Sequence, residues 1–239
     1  MAYADRVLAI SEVVRTANAL PTCEILPLGN THLAQWNAES VERRMKSRLS
    51  RNWPGQLVIL NVCRFTEAER AYKGVDFYIN LRRALDLLHP DIGAMTRFVL
   101  AGRALREDVD AVSAGGIDVI ANPSDEGLAD LYHAADLYLS ASRWEGYNLG
   151  IAQALAMGLP VCASDIPAHR AFGVPVFTSL NEALSEVVQA FRDPSRREGI
   201  QARQPILRDW KPPAERLRDL IDELVLDKQA ENRRAADGR

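Results

Sequence analysis

Two stretches of the chain hold residue types able to do chemistry together. The first runs from Ser142 through Arg143, Trp144, Glu145, Gly146, Tyr147 and Asn148 into Leu149. Asp136 to Ser140, just before it, is apolar and short enough for a buried strand. Leu149 to Met157 is rich in helix formers, with Gly158 and Pro160 to stop the helix and Val161-Cys162-Ala163 as the next strand. A turn leading from a strand into a helix presents unpaired N–H groups and the positive end of the helix dipole, so it favours an anion. Glu145 places a carboxylate at the same mouth, where it can hold sugar hydroxyls. The second stretch, Cys63 to Gly74, carries the cations Arg64, Arg70 and Lys73 directly after an apolar strand. Fixed cations there would stabilise the charge that grows on a diphosphate leaving group as a sugar–phosphate bond breaks. Taken alone, this loop reads as a solvated one balanced by Glu67 and Glu69; beside the Glu145 turn, phosphate binding is the preferred reading.

The elements that must position these groups are regular from Gln56 onward. Leu57 to Val62 reads as a buried strand, and Gly74 to Leu88 as a helix with Phe77, Leu81, Ala84, Leu85 and Leu88 on one side. Strands are expected at Phe98 to Ala101, Ile117 to Ala121, 136 to 140, 160 to 164 and Val174 to Phe177. Ser124 caps a helix through Ala134, and Ser179 with Glu182 forms a capping box for a helix through Phe191. Alternating strands and helices give an α/β fold, a doubly wound parallel Rossmann-like sheet of about six strands that binds ligands at the strands' carboxyl ends.

On either side the pattern is weaker. Asp5 to Ile10 reads as a strand with Ser11 capping a helix, and Val41 to Leu49 as a basic surface helix with a solvated face. A helix follows Pro194; Ala214 to Leu226 is amphipathic through Leu217, Leu220, Ile221 and Leu224; Lys228 to Arg239 is polar and expected to fray. The expected division is residues 1–50, then a Rossmann-like domain at 51–210, then a terminal helix and tail at 211–239. Asp108-Val109-Asp110 falls in an expected helix, where residues two apart diverge, so it reads as a solvated face rather than a metal site. His169 reads as a structural turn residue near the mouth, and Trp144 as the one tryptophan placed to touch a ligand.

The Glu145 stretch resembles the donor-binding segment of retaining, family-four glycosyltransferases of GT-B fold. Glu145, Gly146, Tyr147, Ala156-Met157-Gly158 and Pro160-Val161 match the motif, and Ser164 to Arg170 also reads like the family. Position 153 is Gln where the family has its second Glu, and Ala171 stands where an acidic residue is common. The cationic loop resembles the family's Gly-Arg…Lys-Gly diphosphate clamp, with Cys63 in place of the usual Gly. The resemblance implies roles residue by residue. Arg64 and Lys73, with Arg70, hold the diphosphate; Glu145 contacts the transferred sugar; the amides of Gly146, Tyr147, Asn148 and Leu149 hold the donor. Gln153 takes the ribose position, where its carbonyl can accept from one hydroxyl without bringing charge. Asn122 lies at the nucleobase slot, and Asn148, where Gly is frequent, is expected to tolerate an unusual backbone angle.

The resemblance also implies metal-independent hexosyl transfer from a nucleoside-diphosphate sugar with no separate cofactor, the donor phosphate assisting the acceptor on the same face. By that likeness the chain begins where an amino-terminal acceptor domain ends, so the expected partners are a nucleotide sugar and an acceptor of unknown kind (a glycan, a lipid-linked or a small molecule). An amino-terminal-domain chain or a second copy of this one is a further expected partner. The alternatives are an inactive nucleotide-sugar-binding or interaction module, or a subunit of a split transferase. An epimerase of related fold is a further option, and a dehydrogenase is disfavoured because Cys63-Arg64-Phe65 is no Gly-x-Gly-x-x-Gly turn. A net charge of −3 removes the basic excess that nucleic acid would call for. No apolar run spans a membrane and the start lacks a signal-peptide layout, so a cytoplasmic setting is expected, with peripheral attachment to an inner membrane face allowed. The scattered Cys23, Cys63 and Cys162 suit neither disulfides nor a metal site.

Overall fold

A computed structural model describes residues 4–31, 40–193 and 208–237. The chain divides into two compact units, residues 1–32 with 207–239, and residues 33–206. In the first, β1 (Leu8–Ala9) and β2 (Glu24–Ile25) form a parallel pair flanking α1 (Glu12–Ala17), which Ser11 caps by accepting from the Val14 amide. The expected strand at 5–10 shrinks to two residues because its only described partner offers no more. The helix Lys211–Asp237 belongs to the same unit. Its Arg216 forks onto Glu24 at 2.6 and 2.8 Å. Lys228 pairs with Asp5 at 2.9 Å and Glu231 at 3.8 Å, and the helix runs on to Asp237 where fraying was expected from Lys228. The helix expected after Pro194 lies outside the described residues.

The larger unit holds α2 (Ser40–Ser50), β3 (Leu57–Val62), α3 (Glu67–Lys73), α4 (Val75–Leu88), α5 (Pro90–Ala94), β4 (Thr96–Gly102), α6 (Arg106–Ser113), β5 (Asp118–Ala121) and α7 (Asp125–Ala134). Then come β6 (Leu137–Ser140), α8 (Leu149–Ala156), β7 (Val161–Ser164), α9 (Pro167–Arg170), β8 (Val176–Phe177) and α10 (Leu180–Arg192). Its six strands lie parallel in the order β5-β4-β3-β6-β7-β8. The order reverses between β3 and β6. Connections to the two sides leave there in opposite directions and open a crevice at the strands' carboxyl ends.

Burial follows the period of two that a sheet covered on both faces demands. Leu57 and Ile59 pack with Leu81 and Leu85 of α4 and Val187 of α10, whereas Val58 and Leu60 pack with Leu131 of α7 and Ile151 of α8. Leu88, expected on the buried side of α4, is 59% exposed, and Tyr78 takes the buried position instead. Ser179 accepts from the Glu182 amide, and Glu182 returns to the Thr178 amide at 2.7 Å, one residue earlier than the expected capping box. The basic face of α2 is not merely solvated. Arg44 and Arg48 close on the buried Asp136, Arg44 at 2.5 Å, and also bond the carbonyls of His133, Ala134 and Ala135. Asp136 in turn accepts from the Val58 amide at 2.8 Å, so the pair of guanidiniums ties α2 to the amino ends of β3 and β6, opposite the crevice.

Candidate functional site

The crevice is built by two loops, one after β3 and one after β6. Cys63 continues the β3 ladder through its amide to the Ala101 carbonyl, and Phe65, fully buried, plugs the core with its amide on Arg103. Arg64, held between them, projects outward at 59% exposure and meets Glu69 at 2.9 Å. Helix α3 then ends on Gly74, whose φ of 69° is left-handed. A Cβ there would lie 2.0 Å from the carbonyl oxygen of Ala141, at the end of β6. Glycine thus brings the α3–α4 junction against the neighbouring strand and delivers Lys73 to the next loop. Lys73 Nζ lies 2.7 Å from Glu145 Oε1, with side chains only 12% and 11% exposed.

The Glu145 turn is pinned along its length. The Ser142 carbonyl accepts from Ser164 Oγ at 2.5 Å, and the Arg143 amide donates to the Tyr72 carbonyl at 2.7 Å. Glu145 is held by Lys73. Asn148 closes the turn as the cap of α8, its Oδ1 accepting from the Ile151 amide at 3.1 Å. Its backbone, φ −88° and ψ 97°, is ordinary. Asn148 thus serves as a cap on an unstrained backbone, which corrects the expectation of an unusual backbone angle. Gly150 allows the helix start to sit against β6, since a Cβ would fall 2.0 Å from the Tyr138 hydroxyl. Helix geometry leaves the Leu149 and Gly150 amides without intrahelical acceptors at the mouth.

His169 is fully buried beneath this turn. Its Nδ1 lies 2.8 Å from the Ser164 carbonyl and its Nε2 3.0 Å from Asn148 Nδ2. Burial lowers its pKa from the usual 6.5, Glu145 and the Ser164 bond oppose the shift, and Lys73 reinforces it. The folded chain therefore holds it neutral while the unfolded chain takes up the proton. The resulting stability is present above the unfolded value and lost as the pH falls. The melting temperature of the wild type should drop more than that of His169→Gln between about pH 7.5 and about pH 5, in paired thermal scans. Equal drops would remove His169 from the account.

The remaining expected residues scatter more widely. Arg70 faces the buried Asp108 at 3.6 Å, and Asp108 also accepts from the Leu105 amide at 3.0 Å, so Asp108 is no solvated carboxylate. Asn122 has a left-handed φ of 50°, and its side chain donates to the Ala104 carbonyl at 3.0 Å. Gln153 Oε1 accepts from the Tyr132 hydroxyl at 2.8 Å. The Tyr147 ring packs against Phe172 at 5.1 Å, leaving its backbone at the turn. Trp144 is 52% exposed beside Glu145. Burial, with Glu145 and Glu69 assisting and Lys73 opposing, pushes the Cys63 thiol up to about 12, so it stands as a neutral group among those charges. Sequence reasoning missed the carbonyl of Tyr72 and the hydroxyls of Ser140 and Ser164; only their place at strand and helix ends signalled them. Among the described residues, no group of three or more His, Cys, Asp or Glu gathers as a metal site, and no helix is long and apolar enough to cross a membrane.

The chain is similar to known proteins in sequence and fold. The chain is 36% identical over 110 residues to the lipopolysaccharide core biosynthesis mannosyltransferase LpsB of Rhizobium meliloti, a match covering 41% of this chain and 30% of that protein. Among solved structures, sucrose-phosphate synthase from Thermosynechococcus elongatus superposes with a TM-score of 0.69 at 19% identity, over 94% of this chain and 59% of that one. Anabaena HepE, solved in complex with UDP and glucose, superposes at 0.66 and 17% identity, over 82% and 56%. The chain thus spans less than two thirds of each of these relatives, and the two superpositions identify the fold as that of one part of a GT-B glycosyltransferase. The family described as glycosyl transferases group 1 matches residues 56–193, more than half of the chain and every strand that builds the crevice. The chain belongs to the group 1 glycosyl transferases.

Proposed function

We propose that the crevice between β3 and β6 is the donor site of a retaining, metal-independent hexosyl transferase that uses a nucleoside-diphosphate sugar. The observation that carries this reading is the Lys73–Glu145 pair, 2.7 Å apart at the point where the strand order reverses. Lys73, Arg64 and the amides of Gly146 to Leu149 take the diphosphate. Glu145, released from Lys73 as the phosphate arrives, accepts from hydroxyls of the sugar. Gln153 offers the ribose its amide group, and the base lies toward Asn122. The sugar carbon's bond to the diphosphate oxygen breaks while its bond to the acceptor oxygen forms on the same face. The acceptor's proton passes to a donor phosphate oxygen, and Lys73 and Arg64 stabilise the departing charge. The acceptor is a hydroxyl of a glycan, a lipid-linked or a small molecule, and the setting is the cytoplasm or the inner face of a membrane. The named activity of LpsB and the UDP and glucose of HepE support the donor class.

Calorimetric titration with UDP, GDP, ADP and their sugar conjugates tests the reading. Glu145→Gln removes a carboxylate that competes with phosphate for Lys73, so it should tighten binding of the bare nucleotide by about tenfold. It should also reduce the extra affinity of the sugar conjugate by about tenfold, because a charged acceptor for its hydroxyls is gone. Unchanged affinities for both would remove Glu145 from the donor site. Gln153 in place of the family's second Glu, with its carbonyl engaged by Tyr132, favours a second reading, a donor-binding module or split-transferase subunit without turnover of its own. Donor binding without transfer would select the inactive module, and transfer only after an acceptor-domain chain is added would select the split transferase.

A further inference from the structure

His169 touches no solvent and lies beneath the turn that opens the crevice. The Ser164 carbonyl can only accept, so the proton of the neutral ring sits on Nδ1, and Nε2 is left as an acceptor. The Asn148 amide nitrogen donates to that acceptor at 3.0 Å and to Ser140 Oγ at 3.0 Å. The amide is thereby oriented with its oxygen toward the Ile151 N–H. A proton on Nε2 would oppose donor to donor in a dry site. Turning the Asn148 amide to relieve this would aim its NH2 at the Ile151 N–H and lose the cap. The same β7 end fixes the start of the turn through Ser164 Oγ on the Ser142 carbonyl. A relay of hydrogen bonds therefore runs from the β7–α9 turn through His169 and Asn148 to the Ile151 amide in the first turn of α8.

We propose that His169 is a positioning residue, which through its Nε2 acceptor sets the Asn148 amide and so the α8 amino terminus and the Glu145 turn. The consequence for donor binding rests on the function proposed above; the positioning itself does not. His169→Phe keeps the bulk and removes both bonds, whereas His169→Gln keeps an oxygen acceptor for Asn148. With the full chain, 15N NMR of the imidazole should show Nδ1 protonated and Nε2 bare at neutral pH. The Ile151 amide should exchange with deuterium about fivefold faster in the Phe variant and at the wild-type rate in the Gln variant, while amides of β3 stay unchanged. Whichever of UDP, GDP and ADP binds the wild type should bind the Phe variant at least about fivefold more weakly, with recovery in the Gln variant. A ring protonated on Nε2, or Ile151 exchange unmoved by Phe, overturns the proposal. Faster exchange with unchanged nucleotide affinity supports the positioning role and removes only its consequence for donor binding. Should no nucleotide bind the wild type, the donor-site reading falls, and the tautomer and the Ile151 exchange still decide the positioning role.

Discussion

Lys73→Ala should weaken nucleoside-diphosphate binding about 100-fold, since a charge-assisted bond to phosphate contributes roughly 1.5–3 kcal/mol and the change also leaves a carboxylate facing the anion. The second part follows from the geometry. Glu145 is 11% exposed and is paired with Lys73, so the substitution strands a carboxylate where the diphosphate must lie. The loss should therefore exceed that of Arg64→Ala, whose guanidinium is 59% exposed and is screened by water. A double change, Lys73→Ala with Glu145→Gln, separates the two contributions. It removes the repulsion and should recover part of the affinity, and it should also recover any stability that the single change costs. Calorimetry on the three variants measures this directly. Equal affinities for wild type and Lys73→Ala would show that the diphosphate does not sit at this lysine.

Gly74→Ala should destabilise the chain by about 3 kcal/mol, combining left-handed strain with overpacking. Its φ is 69°, and the added methyl would meet the Ala141 carbonyl at 2.0 Å, which is backbone and cannot swing aside. Gly55 provides the control. Its φ of 74° is equally left-handed, but nothing lies within 4 Å of the added carbon. Gly55→Ala should cost only about 1 kcal/mol, the conformational share alone. Urea unfolding midpoints compare the two. The Gly74 variant should also lose nucleotide affinity, because pushing α3–α4 off β6 withdraws Lys73 from Glu145. Equal costs at the two glycines would mean that the close approach does not govern the junction.

The sheet was legible because its signal is local. Leu57 to Val62 and the later strands are short apolar runs punctuated by caps, and each cap, Ser11, Ser124 and Ser179, lies where its own helix begins. What failed depended on partners distant in sequence. Arg44 and Arg48 look like a solvated face until Asp136, some ninety residues on, is folded beneath them. Asp108 looks exposed until Leu105 and Arg70 claim it. Asn148 caps α8 through Ile151, only three residues on, but the His169 contact that orients its amide comes twenty-one positions later. In the candidate site, the two principal residues lie seventy-two positions apart and yet meet, because residue type and strand-end position both marked them. Tyr132 on Gln153 and Ala104 on Asn122 were invisible, since neither contact follows from spacing along one element.

One measurement addresses the donor site most directly. Amide 1H–15N shifts of the wild-type chain are followed while the tightest-binding of UDP, GDP and ADP is added. The largest changes should fall on Gly146, Tyr147, Asn148 and Leu149 and on the Cys63–Phe65 loop, with the amino ends of β3 and β6 unaffected. Changes centred elsewhere, with the Glu145 turn silent, would contradict it.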